Sequence, residues 1–118
     1  IAPDGSLYTL PERSGGETIT FPVWRFDGSG WSHAFDLPRR GHFLPVGADF
    51  GPDGRLYVLE RDFRGIFGFA TRVRALTLGP GGLEEEEVVL ETRVGRHDNL
   101  EGIAVWRDGP GSLRLTLV

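Results

Sequence analysis

The sequence FGPDGRLYVLER, residues 50–61, repeats the sequence IAPDGSLYTLPE, residues 1–12, at an offset of 49 residues. Six of the first ten aligned positions are identical: Pro, Asp, Gly, Leu, Tyr and Leu. Pro before Asp and Gly is a turn signal, because Pro fixes its own φ while Asp and Gly tolerate turn geometry. The alternating residues that follow are typical of a β-strand. The repeat therefore predicts the same turn and strand at two places in the chain.

Short apolar segments separated by turns rich in Gly and Pro continue this pattern along the 118 residues. Four of them follow one another in the middle of the chain, at 46–50, 55–60, 71–79 and 86–92. Four antiparallel strands in a repeat of about 40–50 residues are typical of a β-propeller blade. We therefore predict an all-β fold built from antiparallel four-stranded repeats of a β-propeller.

The predicted blades divide the chain into three parts. Residues 1–38 hold an incomplete blade, residues 46–92 a complete blade, and residues 99–118 the start of the next one. About two and a half blades cannot close a ring, since propellers have about four to eight. The chain also begins with Ile and contains no Met, so we expect a fragment of a larger protein. Its unpaired sheet edges predict self-association.

Composition excludes several classes of function. The chain has 17 acidic residues against 13 basic ones, all of them Arg, and a net charge of −4. That balance argues against nucleic-acid binding, which needs a basic face. No apolar run approaches the roughly 20 residues of a membrane-spanning helix. The absence of Cys excludes disulfides, thiolate nucleophiles and Cys-bound metals.

The connections between predicted strands are of two kinds, which an up-and-down sheet places at opposite ends. One kind contains little beyond turn residues, as in the PDGR and DGSG turns. The other kind, at 11–17, 38–45, 61–72 and 93–99, is rich in charge. We call its end the polar rim, because loops on a rigid scaffold often carry binding residues. Its residues are Arg39, Arg40, His42, Arg61, Asp62, Arg64, Arg96, His97, Asp98 and Asn99, with Glu60 and Glu101 at adjoining strand ends.

These residue types suit two kinds of chemistry. Carboxylate and Asn oxygens suit a hard cation such as Ca²⁺, and Arg side chains suit phosphate or carboxylate groups. A cation beside them would polarise an ester and activate water. Asn99 and Glu101 are the preferred ligands, since their segment enters an innermost strand. His97 is a candidate general base or a loop hydrogen-bonder. The structural alternative is a salt-bridge network that ties the loops together.

The aromatic stretch FRGIFGF, residues 63–69, allows two interpretations. We expect a loop that packs its Phe side chains between blades. The alternative is a flexible lip that takes part in binding.

The combination of GADFGPDGRLYVLERDF, residues 47–63, with NLEGIAVW, residues 99–106, resembles a known family. It resembles the bacterial phytase-like family described as having esterase-like activity, over residues 46–118 and more weakly before them. Members are described as propellers and are commonly exported. Gluconolactonase-type propellers, which also present an acidic metal ligand early in a blade, are a neighbouring possibility.

The resemblance implies an ester or phosphoester substrate and a periplasmic or secreted protein. It makes Asp49, Glu60, Asp62 and Glu101 candidate cation-binding or catalytic residues. Together with the analysis of the rim, it gives predicted metal ligands Glu101, Asn99, Asp49 and Glu60, and predicted catalytic residues Glu101, Asp62 and His97. The predicted anion contacts are Arg61, Arg64 and Arg96.

Two functions follow as hypotheses. The first is a hydrolase of small esters or phosphoesters with a bound divalent cation, Ca²⁺ being the candidate. Because a site built around a full ring is incomplete here, we expect the chain alone to be inactive. The second is a non-catalytic propeller scaffold that binds a ligand or a protein partner on the polar rim. The sequence leaves open whether the protein is an enzyme.

Overall fold

The computed structural model describes residues 1–13 and 19–118. The strands are β1 Leu7–Thr9, β2 Thr20–Phe26, β3 Trp31–Pro38, β4 Leu44–Phe50, β5 Leu56–Phe63, β6 Phe69–Gly79, β7 Gly82–Glu91, β8 Ile103–Arg107 and β9 Leu113–Leu117. A short 3-10 helix, Gly65–Phe67, connects β5 and β6. No helix in these two ranges is long and apolar enough to span a membrane. The predicted connection 11–17 lies mostly outside the described residues.

The strands form three antiparallel sheets. The first sheet has the order β1-β2-β3, the second β4-β5-β6-β7, and the third β8-β9. The predicted all-β class is therefore confirmed, and the four segments predicted in the middle of the chain are the four strands of the second sheet. Closure into a propeller ring and the number of blades stay predictions.

The second sheet is buried on both faces because the other two sheets pack against it. On one face, Leu56 and Val58 join an apolar core with side chains of β2 and β3. On the other face, Tyr57 and Leu59 join a second core with Val105 of β8. Successive side chains of a strand point to opposite faces, so β5 supplies both cores. The chain is thus a stack of three sheets with the second in the middle.

The two copies of the repeated turn share one backbone geometry. Gly5 has a φ of 85° and Gly54 a φ of 81°, in the left-handed region that favours Gly. In each copy the preceding Asp accepts a hydrogen bond from the amide two residues later, at 2.9 Å for Asp4 and 3.2 Å for Asp53. The Asp and Gly residues that are identical in the two copies therefore form the same turn, as the sequence predicts.

The second copy of the turn also holds a side-chain network. Arg55 Nε donates to Asp53 Oδ2 at 2.9 Å, and the Tyr57 hydroxyl donates to the same oxygen at 2.7 Å. Burial acts to raise the pKa of Asp53, but the hydrogen bonds from Arg55 and Tyr57 hold it below its usual value. Arg55 Nη1 also donates to Glu87 at 2.9 Å, which joins this turn to the outer strand β7.

Tight turns and longer connections lie at opposite ends of the second sheet, as predicted. At the end with the longer connections, Phe69 and His97 form an isolated antiparallel bridge. Gly95 N also donates to Phe69 O at 3.1 Å. Arg61 pairs with Thr71 near the same end of β5 and β6. Arg61 and His97 are therefore both part of the polar rim.

The expectation that the aromatic loop packs between blades is wrong for most of it. Phe63, Ile66 and Phe67 are largely exposed, with Ile66 at 96%. The pairing of β5 with β6 continues to Phe63 and Phe69, whose rings lie 5.1 Å apart. The strands thus extend beyond both cores, and the loop projects from the rim instead of folding back between sheets.

Candidate functional site

Arg61 lies at the rim end of β5, and its guanidinium contacts residues next to each of the other two sheets. Nη1 donates to Glu101 Oε1 at 2.8 Å and to Asn99 Oδ1, and both acceptors lie just before β8. Nη2 donates to Glu12 Oε1 at 2.8 Å, shortly after β1. Asn99 Nδ2 also donates to Glu101 Oε1 at 3.0 Å. One guanidinium therefore links three successive parts of the chain.

Glu12 and Arg61 occupy the same position in the two copies of the repeat, since their numbers differ by the offset of 49. The position carries an acid in the first copy and a base in the second. Neighbouring sheets bring equivalent positions together, so the two opposite charges form an ion pair at 2.8 Å. The two opposite charges therefore form a contact between the two repeats.

A cavity of about 440 Å³ opens beside this cluster. We call it the Arg61 cavity. It is lined by Tyr8, Thr9, Leu10, Glu12, Pro45, Val46, Gly47, Ala48, Arg61 and Glu101. The Arg61 side chain is only 20% exposed, whereas the Glu12 and Glu101 side chains are 47% and 61% exposed. The cavity therefore has a fixed cation and two carboxylates that reach solvent.

The arrangement contains groups of the kinds that can take part in acid–base and electrostatic catalysis. A guanidinium stabilises negative charge that develops on a substrate oxygen, and a carboxylate accepts a proton from water. Arg61 is also held from behind, because its guanidinium carbon lies 5.5 Å from the centre of the Phe69 ring. Three hydrogen-bond acceptors and one ring thus fix the plane of the guanidinium.

Comparison with known proteins gives one match. The family model for Phytase-like, described as esterase-like activity of phytase, matches residues 1–118. The chain belongs to the phytase-like family. No curated protein and no solved structure matches it. For this phytase-like chain, the remaining predicted site residues can now be placed relative to the Arg61 cavity.

Glu60 is buried inside the protein and pairs with two arginines. Arg72 Nε donates to its Oε2 at 2.7 Å, and Arg74 Nε lies 3.1 Å from both of its oxygens. All three side chains are nearly or fully buried. Arg72 also donates to the carbonyl of Arg40 at 2.8 Å and stacks on the ring of Phe43. Glu60 therefore stabilises the interior of the sheet stack in this structure.

Asp49 also serves a contact between sheets. Its Oδ2 accepts a hydrogen bond from the backbone N–H of Val105 at 2.8 Å. Val105 belongs to β8, so the carboxylate fastens the third sheet to β4. Asp49 does not line the Arg61 cavity.

Asp62, Arg64, Arg96 and His97 lie elsewhere on the polar rim. Asp62 is almost fully buried, and Arg64 Nε donates to its Oδ2 at 2.7 Å. This pair lines a cavity of about 630 Å³ with Phe43 and the segment 91–94. Arg96 and His97 line a neighbouring cavity of about 600 Å³. The structure thus divides the predicted catalytic residues between the Arg61 cavity, which holds Glu101, and two other cavities, which hold Asp62 and His97.

The four predicted metal ligands do not converge as one set. The oxygens of Glu60 bond to two guanidinium groups, and Asp49 bonds to a backbone amide. Asn99 and Glu101 do lie together, with oxygen donors of the type that Ca²⁺ prefers. Within residues 1–13 and 19–118, no group of three or more His, Asp or Glu side chains is arranged to hold a metal ion. Of the four predicted ligands, Asn99 and Glu101 are therefore the two whose side chains are in contact.

Sequence analysis missed Glu12 and Tyr8, which both line the Arg61 cavity. The connection 11–17 belongs to the predicted polar rim, but Glu12 is not among the residues predicted for the site. A usable signal was present, since the repeat aligns Glu12 with Arg61 and the charges are opposite. Tyr8 gave no such signal, because it is identical in both copies of the repeat.

Proposed function

We propose that this chain carries the substrate-binding part of a hydrolase that acts on an ester or phosphoester in the Arg61 cavity. The observation that carries the proposal is one fixed guanidinium between two carboxylates in a cavity of about 440 Å³. Membership of the phytase-like family supports the reaction class. The family resemblance also supports a periplasmic or secreted location.

In the proposed reaction, Arg61 donates hydrogen bonds to the carbonyl or phosphoryl oxygen of the substrate. Glu101 accepts a proton from water, and the water oxygen forms a bond to the carbon or phosphorus atom. The bond from that atom to the alcohol oxygen then breaks, and Glu101 returns the proton to the alcohol oxygen. Glu12 holds the other side of the guanidinium and fixes its orientation.

A divalent cation such as Ca²⁺ enters this proposal only at Asn99 and Glu101. Once bound, it would supply a second positive charge that polarises the substrate oxygen. Both side chains already bond to Arg61, so these hydrogen bonds have to break before the cation binds. We therefore expect weak binding.

Asp62 and His97 remain proposed catalytic residues, but they lie outside the Arg61 cavity. They line cavities that adjoin the polar rim, so they act only if the substrate extends along the rim from Arg61. Arg64 lines the same cavity as Asp62, and Arg96 lines the same cavity as His97. Both arginines are proposed contacts for an anionic group of such a substrate.

The activity test uses the full-length gene product with p-nitrophenyl acetate and p-nitrophenyl phosphate. Arg61→Lys and Glu101→Gln are each expected to lower kcat/KM by about 10²-fold or more, since each removes a group that acts in the transition state. Arg114→Lys is the control, because Arg114 pairs with Asp108 in a turn away from the rim. Unchanged kcat/KM in both rim variants contradicts the proposal.

A second candidate function is a non-catalytic scaffold. The contacts of Arg61 with Glu12, Asn99 and Glu101 also suit a clamp that holds sheets together. Calorimetry with CaCl₂ separates the two candidates. Binding that Glu101→Ala abolishes and Glu85→Ala preserves supports the cation-assisted hydrolase. No heat of binding, together with no hydrolysis by the full-length gene product, supports the scaffold.

A further inference from the structure

The Arg61 cavity has a net negative charge among the described residues. Its charged lining consists of Arg61, Glu12 and Glu101, which together give −1 at neutral pH. The two carboxylates lie on opposite sides of the guanidinium, each 2.8 Å from one of its nitrogens. One of the two carboxylates balances the charge of Arg61. An entering ligand therefore meets one further negative charge that is not balanced.

This charge balance disfavours a phosphomonoester. A phosphate group binds Arg best through two parallel hydrogen bonds, and in this cavity carboxylates occupy both terminal nitrogens of Arg61. A dianion that accepts hydrogen bonds from the remaining N–H donors still lies close to both carboxylates. Like charges at such short range repel each other, and added salt weakens the repulsion.

A carbonyl oxygen has no such difficulty. A guanidinium has five N–H donors, and three acceptors are present around Arg61, so donors remain for one uncharged oxygen. The cavity lining also includes Leu10, Pro45 and Val46, which suit an apolar group next to the ester. Glu12 and Glu101, both reaching solvent, suit a cationic substituent at the cavity mouth.

We propose that the ligand of the Arg61 cavity is a carboxylic ester that is neutral or carries a cationic group, and not a phosphomonoester. This inference rests on the proposed function and narrows its substrate class. The discrimination comes from the second carboxylate, Glu12, which pairs with Arg61 across two repeats.

The test is an NMR titration of the 118-residue chain with three matched probes: benzyltrimethylammonium, benzyl alcohol and benzyl phosphate. The signals followed are the Arg61 side-chain N–H and the amides of residues 46–48. In the unmodified chain we expect benzyl phosphate to bind at least about tenfold more weakly than the ammonium probe. The difference shrinks as salt is added, since screening weakens charge effects.

Glu12→Gln removes the excess charge and is expected to bring the two dissociation constants to within about threefold of each other. Glu85→Gln, on the exposed outer strand, is the matched control and is expected to leave the tenfold difference intact. The inference is overturned if benzyl phosphate binds most tightly, if no probe binds, or if Glu12→Gln leaves the ratio unchanged. If the order holds but the full-length gene product hydrolyses no ester, only the proposed function fails.

Discussion

At the scale of single residues, Glu60 shows how burial decides what a carboxylate does. Its side chain has no exposure and lies between the guanidinium groups of Arg72 and Arg74. Two desolvated cations depend on this one anion for charge balance, although Glu86 approaches Arg74 at 3.6 Å. Removing one partner from a buried charge cluster costs more than the cluster contributes, because a charge is left unpaired.

Glu60→Gln is therefore expected to lower the free energy of unfolding by about 3–5 kcal/mol. The measurement is urea denaturation followed by far-UV circular dichroism. Glu85→Gln is the control, and its effect is expected to stay within about 0.5 kcal/mol. If Glu60→Gln does not fold, replacement of Glu60, Arg72 and Arg74 together by Leu or Met is expected to restore folding. A Glu60→Gln variant as stable as the control contradicts the buried-cluster interpretation.

Asp27 gives a pH dependence with a definite sign. The backbone amide and hydroxyl of Ser29 and the amide of Gly30 donate to its Oδ1, and they lower its pKa from 3.8 to about 2. The unfolded chain therefore takes up this proton more readily than the folded chain. The stabilisation is complete above about pH 4 and is lost as the pH falls toward 2.

The expected result is a urea midpoint that falls between pH 4 and pH 2, with a smaller fall in Asp27→Asn. Asn keeps an oxygen that accepts the amide hydrogen bonds but does not titrate. Equal pH profiles for the two proteins show that Asp27 contributes nothing to the acid sensitivity.

At the scale of elements, the close approach of β4 to the third sheet shapes the Arg61 cavity. A Cβ atom on Gly47 would lie 2.8 Å from the backbone oxygen of Glu101 and 3.5 Å from Ile103 Cγ2. Gly47 and Glu101 both line the cavity and lie next to each other. The absence of a side chain at Gly47 therefore allows Glu101 to reach Arg61.

Gly47→Ala is expected to push β8 away from β4 and to cost about 1–3 kcal/mol, because the neighbour is backbone and does not yield easily. Hydrogen exchange is expected to become faster at the amides of 103–107 than in the unmodified chain. Gly109→Ala is the control, since a Cβ there meets nothing within 4 Å. Unchanged exchange in 103–107 means that the third sheet is held without this contact.

The strands could be predicted from the sequence because their signals are local. Alternating apolar residues and turns with Asp and Gly gave the four strands of the second sheet, with bounds that differ from those of β4–β7 by a few residues. The polar rim could be predicted because alternate connections of an up-and-down sheet lie at opposite ends. The exposure of Ile66 and Phe67 could not be predicted, because it depends on how far β5 and β6 extend beyond their neighbours.

The candidate site was predicted only in part, for a similar reason. Arg61, Asn99 and Glu101 do lie together, but residue type alone does not show which carboxylate a guanidinium will bind. Glu60 and Arg61 are adjacent in sequence and point to opposite faces of β5, so one is buried with Arg72 and the other faces the cavity. Which of two adjacent side chains is buried depends on how the sheets pack, and the sequence of one strand does not show this.

At the scale of the whole molecule, the stack leaves apolar side chains uncovered at both ends. Trp24 and Trp31 of the first sheet and Trp106 of the third are each more than 40% exposed. Exposed apolar patches of this kind commonly mark contact surfaces. We therefore keep the prediction that the chain associates with itself.

Sedimentation equilibrium measures this association directly. The expected result is a mass that rises above 13.0 kDa with concentration. Replacing Trp31 and Trp106 by Ser is expected to reduce the rise, because it removes apolar area from both ends of the stack. A mass that stays at the monomer value over the whole concentration range contradicts the prediction.

We propose that the ester reacts where Arg61 binds two carboxylates from two other parts of the chain, Glu12 and Glu101. The most direct measurement is a crystal structure of the full-length gene product with phenylboronic acid, a neutral compound that becomes a tetrahedral anion when it gains hydroxide. We expect a boronate oxygen to lie within about 3 Å of the Arg61 guanidinium and of Glu101. A boronate bound beside Asp62 or His97, with Arg61 still paired to Glu12 and Glu101, would contradict it.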